Sequence, residues 1–169
     1  MSIAQSAAVP PGFVPVAMGG PFVGANGPLY VWRQGQQTKV GLRIEQKHCN
    51  ALGTCHGGLL ATFADQMMPV AMYAHLEGAG LPRFLPTVSL QLDFIGPVYL
   101  DDWIEGETQV LRATRSLVFA QGLVQVAGEP VLRASGVYKI AAEIGDSPGM
   151  YTDEMPAVPP RRRASQSSR

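Results

Sequence analysis

Alternating hydrophobic and polar residues dominate the middle of the chain. In "TKVGLRIE", residues 38–45, apolar side chains recur at every second position from Val40 to Ile44, which is typical of a strand with one buried face. The later strands of this kind are joined by short links, so we expect an antiparallel meander. Strands are predicted at about 29–33, 38–45, 87–94, 103–113, 117–127 and 130–140.

The segment 57–78, "GGLLATFADQMMPVAMYAHLEG", breaks this rhythm. It is apolar nearly all round, and a helix without a polar face must be buried from most directions. Together the two patterns predict an α+β fold, in which a long central helix is enclosed by a curved antiparallel sheet of five to six strands. Pro69 lies inside the helix and cannot donate to the carbonyl of Asp65. The sequence therefore predicts either a kinked helix or two shorter ones.

The two ends of the chain differ from this body in composition. Residues 1–28 carry many Pro and Gly residues, which disfavour helix and strand, and the C-terminal end is rich in Pro and Ser and finishes basic. We expect an N-terminal extension at 1–28, one domain at 29–141 and a flexible tail at 142–169.

Composition and charge restrict the class of function. The 13 basic and 13 acidic side chains cancel, which removes the electrostatic argument for a nucleic-acid or anionic-membrane partner. No apolar run approaches the roughly 20 residues of a membrane span, and the N-terminus does not resemble a secretory signal. Two cysteines are too few for a disulfide framework. These features predict a cytoplasmic enzyme or binding module.

The stretch "HCNALGTCHGG", residues 48–58, invites a chemical interpretation. Its cysteines are six residues apart and its histidines eight apart, which does not match the ligand spacing of common structural zinc sites. A Cys–His nucleophile is also disfavoured, because neighbours in sequence rarely face each other as base and nucleophile. We interpret both cysteines as small buried hydrophobes and expect no metal site.

The end of that stretch, His56-Gly57-Gly58, lies where a loop becomes the apolar helix. A helix start presents unpaired N–H groups and a partial positive charge, and glycine there lets a ligand approach the backbone. Such donors can hold a carbonyl oxygen that gains negative charge. His56 either contacts substrate or simply caps the loop; the sequence leaves both open.

Asp65 lies in the middle of the apolar helix, where a carboxylate is costly unless it is paired or used. Thr62 and Gln66 are neutral candidates to satisfy it. Gly57 and Asp65 are eight residues apart, or about 12 Å along a continuous helix, so one chain cannot easily bring both to the same carbonyl. Two antiparallel helices about 10 Å apart would do so twice per dimer. If both residues are catalytic, the protein must be at least a dimer.

The pattern Asn50-x-x-Gly53-x-x-His56-Gly57-Gly58, followed by Asp65, resembles the signature of hotdog-fold acyl-CoA thioesterases of the phenylacetate-pathway type. The stretch "TVSLQLDFIGPVYLDDWIEGETQVLRATRSLVFAQGLVQ" is similar to the second half of that family. The resemblance covers about residues 29–141 and implies a hotdog fold that assembles as dimers and commonly as homotetramers.

The resemblance also implies roles for individual residues. Gly57 would donate its N–H to the thioester oxygen, and Asp65 of the facing subunit would act as general base or nucleophile. Asn50 and His56 would position substrate and water, and Thr87 would assist the attacking water. Two arginines in the turn 112–117 suit the phosphates of coenzyme A. The residues expected to bind substrate or coenzyme A are Gly58, Ser89, Phe94, Arg112, Thr114, Arg115, Ser116 and Leu117.

The sequence thus predicts an enzyme that hydrolyses an acyl-CoA to a free acid and coenzyme A. No cofactor is expected, because coenzyme A enters as part of the substrate. The alternatives are a non-catalytic acyl-CoA-binding module and a hydratase on the same fold. The acyl group stays open, since its pocket would depend on flexible side chains such as Met67, Met68, Phe94 and Phe119.

Overall fold

The computed structural model describes residues 8–16, 19–35, 37–76 and 85–141. The predicted tail at 142–169 lies outside these residues. The elements are β1 (Val14–Val16), α1 (Gly20–Asn26), β2 (Leu29–Gln34), β3 (Gln37–Arg43), a 3₁₀ turn (Gln46–His48), α2 (Gly57–Leu76), β4 (Thr87–Phe94), β5 (Trp103–Ala113), β6 (Leu117–Val126) and β7 (Glu129–Lys139).

The described strands form one antiparallel sheet in the order β1-β2-β3-β5-β6-β7-β4. The long helix α2 packs against one face and contacts β3 to β7. The predicted α+β architecture of one long helix and a curved antiparallel sheet is confirmed. The sheet has seven strands rather than five to six, because the N-terminal segment contributes β1. None of the described helices is long and apolar enough to cross a membrane.

Helix α2 supplies much of the buried core. Phe63, Ala64, Met67, Met68 and Met72 are each at most 1% exposed, as expected for a helix that is apolar nearly all round. The helix runs through Pro69 as a single element from Gly57 to Leu76, so the alternative of two shorter helices is wrong.

Two glycines let the sheet approach α2 closely. A Cβ on Gly106 of β5 would lie 2.3 Å from Met67 Sδ, and one on Gly122 of β6 would lie 2.8 Å from Met67 Cε. These distances are shorter than van der Waals contact. The missing side chains therefore make the space that Met67 fills.

The expectation that residues 1–28 hold neither helix nor strand is wrong for the described part of that segment. Strand β1 pairs with β2, and α1 buries Val23 in the core. Phe13 packs edge-on against Trp103 with ring centroids 5.2 Å apart. Burial of these apolar side chains overrides the low propensity of a Pro- and Gly-rich segment.

Strand β4 lies at an edge of the sheet and contains a bulge. Thr87 pairs with Tyr138, but Ser89 pairs with the preceding residue Val137. In a strand without a bulge, Thr87 and Ser89 would lie on the same face. The extra residue, Val88, instead turns Thr87 towards the helix with Tyr138 and leaves Ser89 on the outer face.

Candidate functional site

His56 caps the N-terminus of α2. Its Nδ1 accepts a hydrogen bond of 2.8 Å from the Gly58 N–H, and its carbonyl accepts from the N–H groups of Leu59 and Leu60 at 2.9 and 3.2 Å. The Gly57 N–H has no acceptor among the residues that the structure describes. The cap thus satisfies the first turn and leaves the Gly57 amide available to a ligand.

The cap also fixes the histidine. Since Nδ1 is an acceptor, a neutral His56 carries its proton on Nε2. The side chain is exposed. The capping role left open by the sequence is therefore present, and contact of His56 with substrate stays a prediction.

Asn50 shapes the loop that leads into this cap. Its Nδ2 donates to Thr54 Oγ1 at 2.9 Å, and its Oδ1 accepts from the backbone N–H groups of Leu52 and Thr54 at 2.9 and 3.3 Å. The backbone closes the same loop, because the Asn50 N–H donates to the Thr54 carbonyl at 2.8 Å. Asn50 thus holds residues 50–54 in a tight turn beside the start of α2.

Asp65 is half-buried and bound to two neutral groups. Thr87 Oγ1 donates to Oδ1 at 2.7 Å, and Gln66 Nε2 donates to Oδ2 at a longer 3.3 Å. Thr62, the other neutral neighbour suggested by the sequence, instead donates to the Gly58 carbonyl of its own helix. The short bond fixes one carboxylate oxygen and leaves the second more weakly held.

Tyr138 belongs to this group and was missed in the sequence. It is fully buried, lies opposite Thr87 in the ladder, and its hydroxyl donates to Met68 Sδ at 3.3 Å. Burial, and next the negative charge of Asp65, raise the pKa of Tyr138 above its usual value. A buried, protonated phenol therefore lies beside the Thr87–Asp65 pair. A tyrosine in a strand of ordinary alternation carries no signal for this role.

The Gly57 end of the site lies apart from Asp65. A Cβ on Gly57 would meet the Phe94 ring at 3.4 Å, so the last residue of β4 packs over the helix start. Asp65 is bound to Thr87, the first residue of the same strand. One chain thus carries the two halves at opposite ends of β4, about 12 Å apart along the helix.

The predicted coenzyme A turn is the hairpin end between β5 and β6. Thr114 Oγ1 donates to the Leu117 carbonyl at 3.0 Å and accepts from the Leu117 and Ser116 N–H groups. Arg112 and Arg115 are exposed, and neither forms an ion pair with another described residue. Their charges are available to an anion.

Other predicted binding residues are placed differently from the Asp65 group. Ser89 lies on the outer face of the sheet, and Phe119 shares that face opposite Val137. Met67 and Met68 are buried in the core, so within one chain they do not face an open pocket. The structure brings Asp65 together with Thr87, and Gly57 together with Phe94. It does not bring the four residues of this paragraph to either pair.

The other histidine of the 48–58 stretch, His48, has a structural position. His48 is 2% exposed, and its Nδ1 accepts from the Glu45 N–H at 2.9 Å. Burial is the main reason that the pKa of His48 is lowered. Within the described part of the chain, no three His, Cys, Asp or Glu side chains cluster as a metal site would require.

Comparison with known proteins identifies the family. Residues 52–131 match the family model of the thioesterase superfamily. A Pseudomonas aeruginosa protein that carries the name of an esterase is 38% identical over 133 residues, which cover 78% of this chain and 97% of that protein. The chain belongs to the thioesterase superfamily.

Two further comparisons agree with this assignment. Human acyl-coenzyme A thioesterase 13 is 32% identical over 80 residues, which are 46% of this chain and 53% of that protein, so the match spans about half of the human relative. A mutant of the phenylacetic acid degradation protein PaaI from Thermus thermophilus superposes with a TM-score of 0.61 at 22% identity, covering 72% of this chain and 99% of that one. The predicted hotdog fold and family resemblance are confirmed.

Proposed function

We propose that this protein hydrolyses the thioester of an acyl-CoA to a free acid and coenzyme A. Family membership supports thioester hydrolysis, and the name of the human relative supports an acyl-CoA substrate. The observation that carries the proposal is the Gly57 amide at the start of α2, which has no acceptor among the described residues, together with the Asp65 carboxylate held by Thr87.

The chemistry follows from these two groups. The Gly57 N–H, strengthened by the positive end of the α2 dipole, binds the carbonyl oxygen as attack gives it negative charge. Asp65 either takes a proton from the attacking water or attacks the carbonyl itself. Thr87 fixes Oδ1, so Oδ2 is the oxygen that turns to the reaction. The coenzyme A thiolate then leaves, and no cofactor is needed.

The same proposal includes a dimer with shared sites. Strand β4 is an edge strand, and Val88, Phe94 and Ile95 at this edge are each more than half exposed. Exposed apolar edges favour pairing with another strand. Antiparallel pairing of two β4 strands about a two-fold axis would bring Thr87 and Asp65 beside Phe94 and Gly57 of the partner subunit.

Further parts of the proposal follow from the resemblance. Such dimers would associate into a homotetramer, and Arg112 and Arg115 would bind coenzyme A phosphates. Both cysteines are free, which is compatible with the reducing cytoplasm as the location.

Release of coenzyme A from a panel of acyl-CoAs tests the proposal. We expect Asp65→Asn, which keeps the shape of the side chain, to lower kcat by about 10²-fold or more because a positioned acid–base or nucleophilic group is lost. Equal rates for wild type and variant would remove Asp65 from the mechanism. Tight binding of an acyl-CoA without turnover would favour the non-catalytic module, and water addition to an enoyl-CoA would favour the hydratase.

A further inference from the structure

The two cysteines of the 48–58 stretch face each other across a short antiparallel ladder. Cys49 and Cys55 form an isolated β-bridge. The flanking hydrogen bonds run from the Asn50 N–H to the Thr54 carbonyl and from the His56 N–H to the His48 carbonyl, at 2.8 Å each. The cysteines themselves exchange no backbone hydrogen bonds, so they form a non-hydrogen-bonded pair.

This kind of pair brings side chains closest together. Directly opposite residues of a non-hydrogen-bonded pair have Cα atoms about 4.5 Å apart and side chains on the same face. Disulfides occur at Cα separations of roughly 4.4 to 6.8 Å. The ladder therefore places Cys49 and Cys55 within disulfide range, at its short end.

The two thiols differ in accessibility. Cys49 is partly exposed, and its Sγ lies 3.5 Å from the Glu45 carbonyl oxygen. Cys55 is 7% exposed, with its Sγ 3.7 Å from the His56 carbonyl oxygen. Burial, and next the neighbouring Cys49, raise the pKa of Cys55 to about 12. Cys49 is thus the thiol that an outside oxidant reaches first, and the buried Cys55 reacts second, with the oxidised Cys49.

We propose that Cys49 and Cys55 are a redox modification site, at which a reversible intramolecular disulfide closes the loop 49–55 and lowers turnover. The effect on turnover rests on the proposed thioesterase function, but formation of the disulfide does not.

The step is a thiol–disulfide exchange with a low-molecular-weight disulfide such as glutathione disulfide. The Cys49 thiolate attacks one sulfur of the oxidant and forms a mixed disulfide, releasing one glutathione thiolate. The Cys55 sulfur then attacks Cys49 Sγ, and its proton goes to the second glutathione, which leaves as a thiol. Two protein thiols are oxidised and one glutathione disulfide is reduced to two glutathione molecules. An added dithiol reverses the exchange.

Formation of the Cys49–Cys55 disulfide affects the proposed active site by moving the backbone. The loop between the cysteines contains Asn50, and Cys55 is followed by the His56 cap and the Gly57 amide. Disulfides bring Cβ atoms to about 3.8 Å, still closer than the roughly 4.5 Å at the short end of open pairs, where non-hydrogen-bonded pairs lie. Because the Cys55 N–H is also tied to the Val98 carbonyl at 2.7 Å, the loop and cap must shift to accommodate the bond. Displacing the amide that holds the thioester oxygen slows the reaction.

The test treats the reduced full-length protein with glutathione disulfide and follows mass, free thiols and kcat. We expect wild type to lose two hydrogen atoms and both titratable thiols without becoming cross-linked between chains, and its kcat to fall by about tenfold. Dithiothreitol should restore both readouts. Cys55→Ser should stop at a mixed disulfide on Cys49. Cys49→Ser should keep its remaining thiol, and its kcat should be the same before and after treatment with glutathione disulfide.

Each other outcome overturns part of the proposal. Two persisting thiols, a stable glutathione adduct on wild type, or a disulfide between chains would show that the pair does not close. A closed disulfide with unchanged kcat would contradict its effect on turnover. A protein that forms the disulfide but releases no coenzyme A in either state would refute the thioesterase function alone.

Discussion

At the scale of single residues, the backbone N–H groups in the first turn of α2 differ in whether they have an acceptor. The N–H groups of Gly58, Leu59 and Leu60 are all taken by His56. The Gly57 N–H has no acceptor in the described part of the chain, and glycine leaves its approach free of a Cβ. The Phe94 ring covers one side of this position. A donor that is fixed in place before the reaction stabilises negative charge most effectively.

This donor can be deleted without removing the helix. Proline lacks the N–H but is favoured at the first position of a helix, and its preference for an extended preceding residue suits a cap. We therefore expect Gly57→Pro to fold and to lose about 10² to 10³-fold in kcat. Gly57→Ala is the matched control, because it keeps the N–H and its Cβ meets Phe94 at an ordinary 3.4 Å. Comparable losses in the two variants, measured by release of coenzyme A, would show that the side-chain space matters rather than the amide.

At the residue level, the sequence pattern identified the helix start, whereas only the family resemblance pointed to Thr87. Glycines at the change from loop to apolar helix carry a direct signal for free amides. The spacing of Asp65 from Gly57 likewise indicated two separate halves. The contact of Thr87 with Asp65 depends on the bulge at Val88, which simple alternation does not reveal. Tyr138 has no local signal at all, because its role comes from the strand paired beside it.

At the scale of elements, the distance between α2 and the sheet depends on small residues. Gly106 is buried, and a Cβ there would lie 2.3 Å from Met67 Sδ and 2.9 Å from Phe63 Cε1. We expect Gly106→Ala to lower the free energy of unfolding by about 1 to 3 kcal/mol through overpacking. Urea denaturation measures the change. Gly24→Ala is the control, because nothing lies within 4 Å of its added Cβ; an equal loss there would argue against the packing explanation.

The elements that sequence patterns predicted are those long enough to show a regular hydrophobic period. The helix from residue 57 and the strands Thr87–Phe94 and Trp103–Ala113 have their predicted starts. Strand β1 and helix α1 were missed, since three and seven residues are too few to show a period. Their position is set by tertiary contacts, such as the burial of Val23 and the packing of Phe13 on Trp103.

At the scale of the whole molecule, one chain carries two incomplete halves of the proposed site. Asp65 and Thr87 lie at one end of the edge strand β4, and Gly57 and Phe94 lie at the other. In the proposed dimer, a two-fold axis through the middle of β4 would join each half to its complement, and the dimer would contain two sites, each with residues from both chains.

Mixed dimers test this arrangement directly. Asp65→Asn and Gly57→Pro should each be inactive alone, but dimers that contain one chain of each keep one intact site of two. Co-refolding equal amounts should therefore restore about one quarter of the wild-type rate. The matched control mixes wild type with the double variant, in which no mixed dimer has an intact site; its rate should fall to about one quarter, rather than the half expected of independent chains. Failure of the first mixture to regain activity, with subunit exchange verified by two different tags, would mean that each chain works alone.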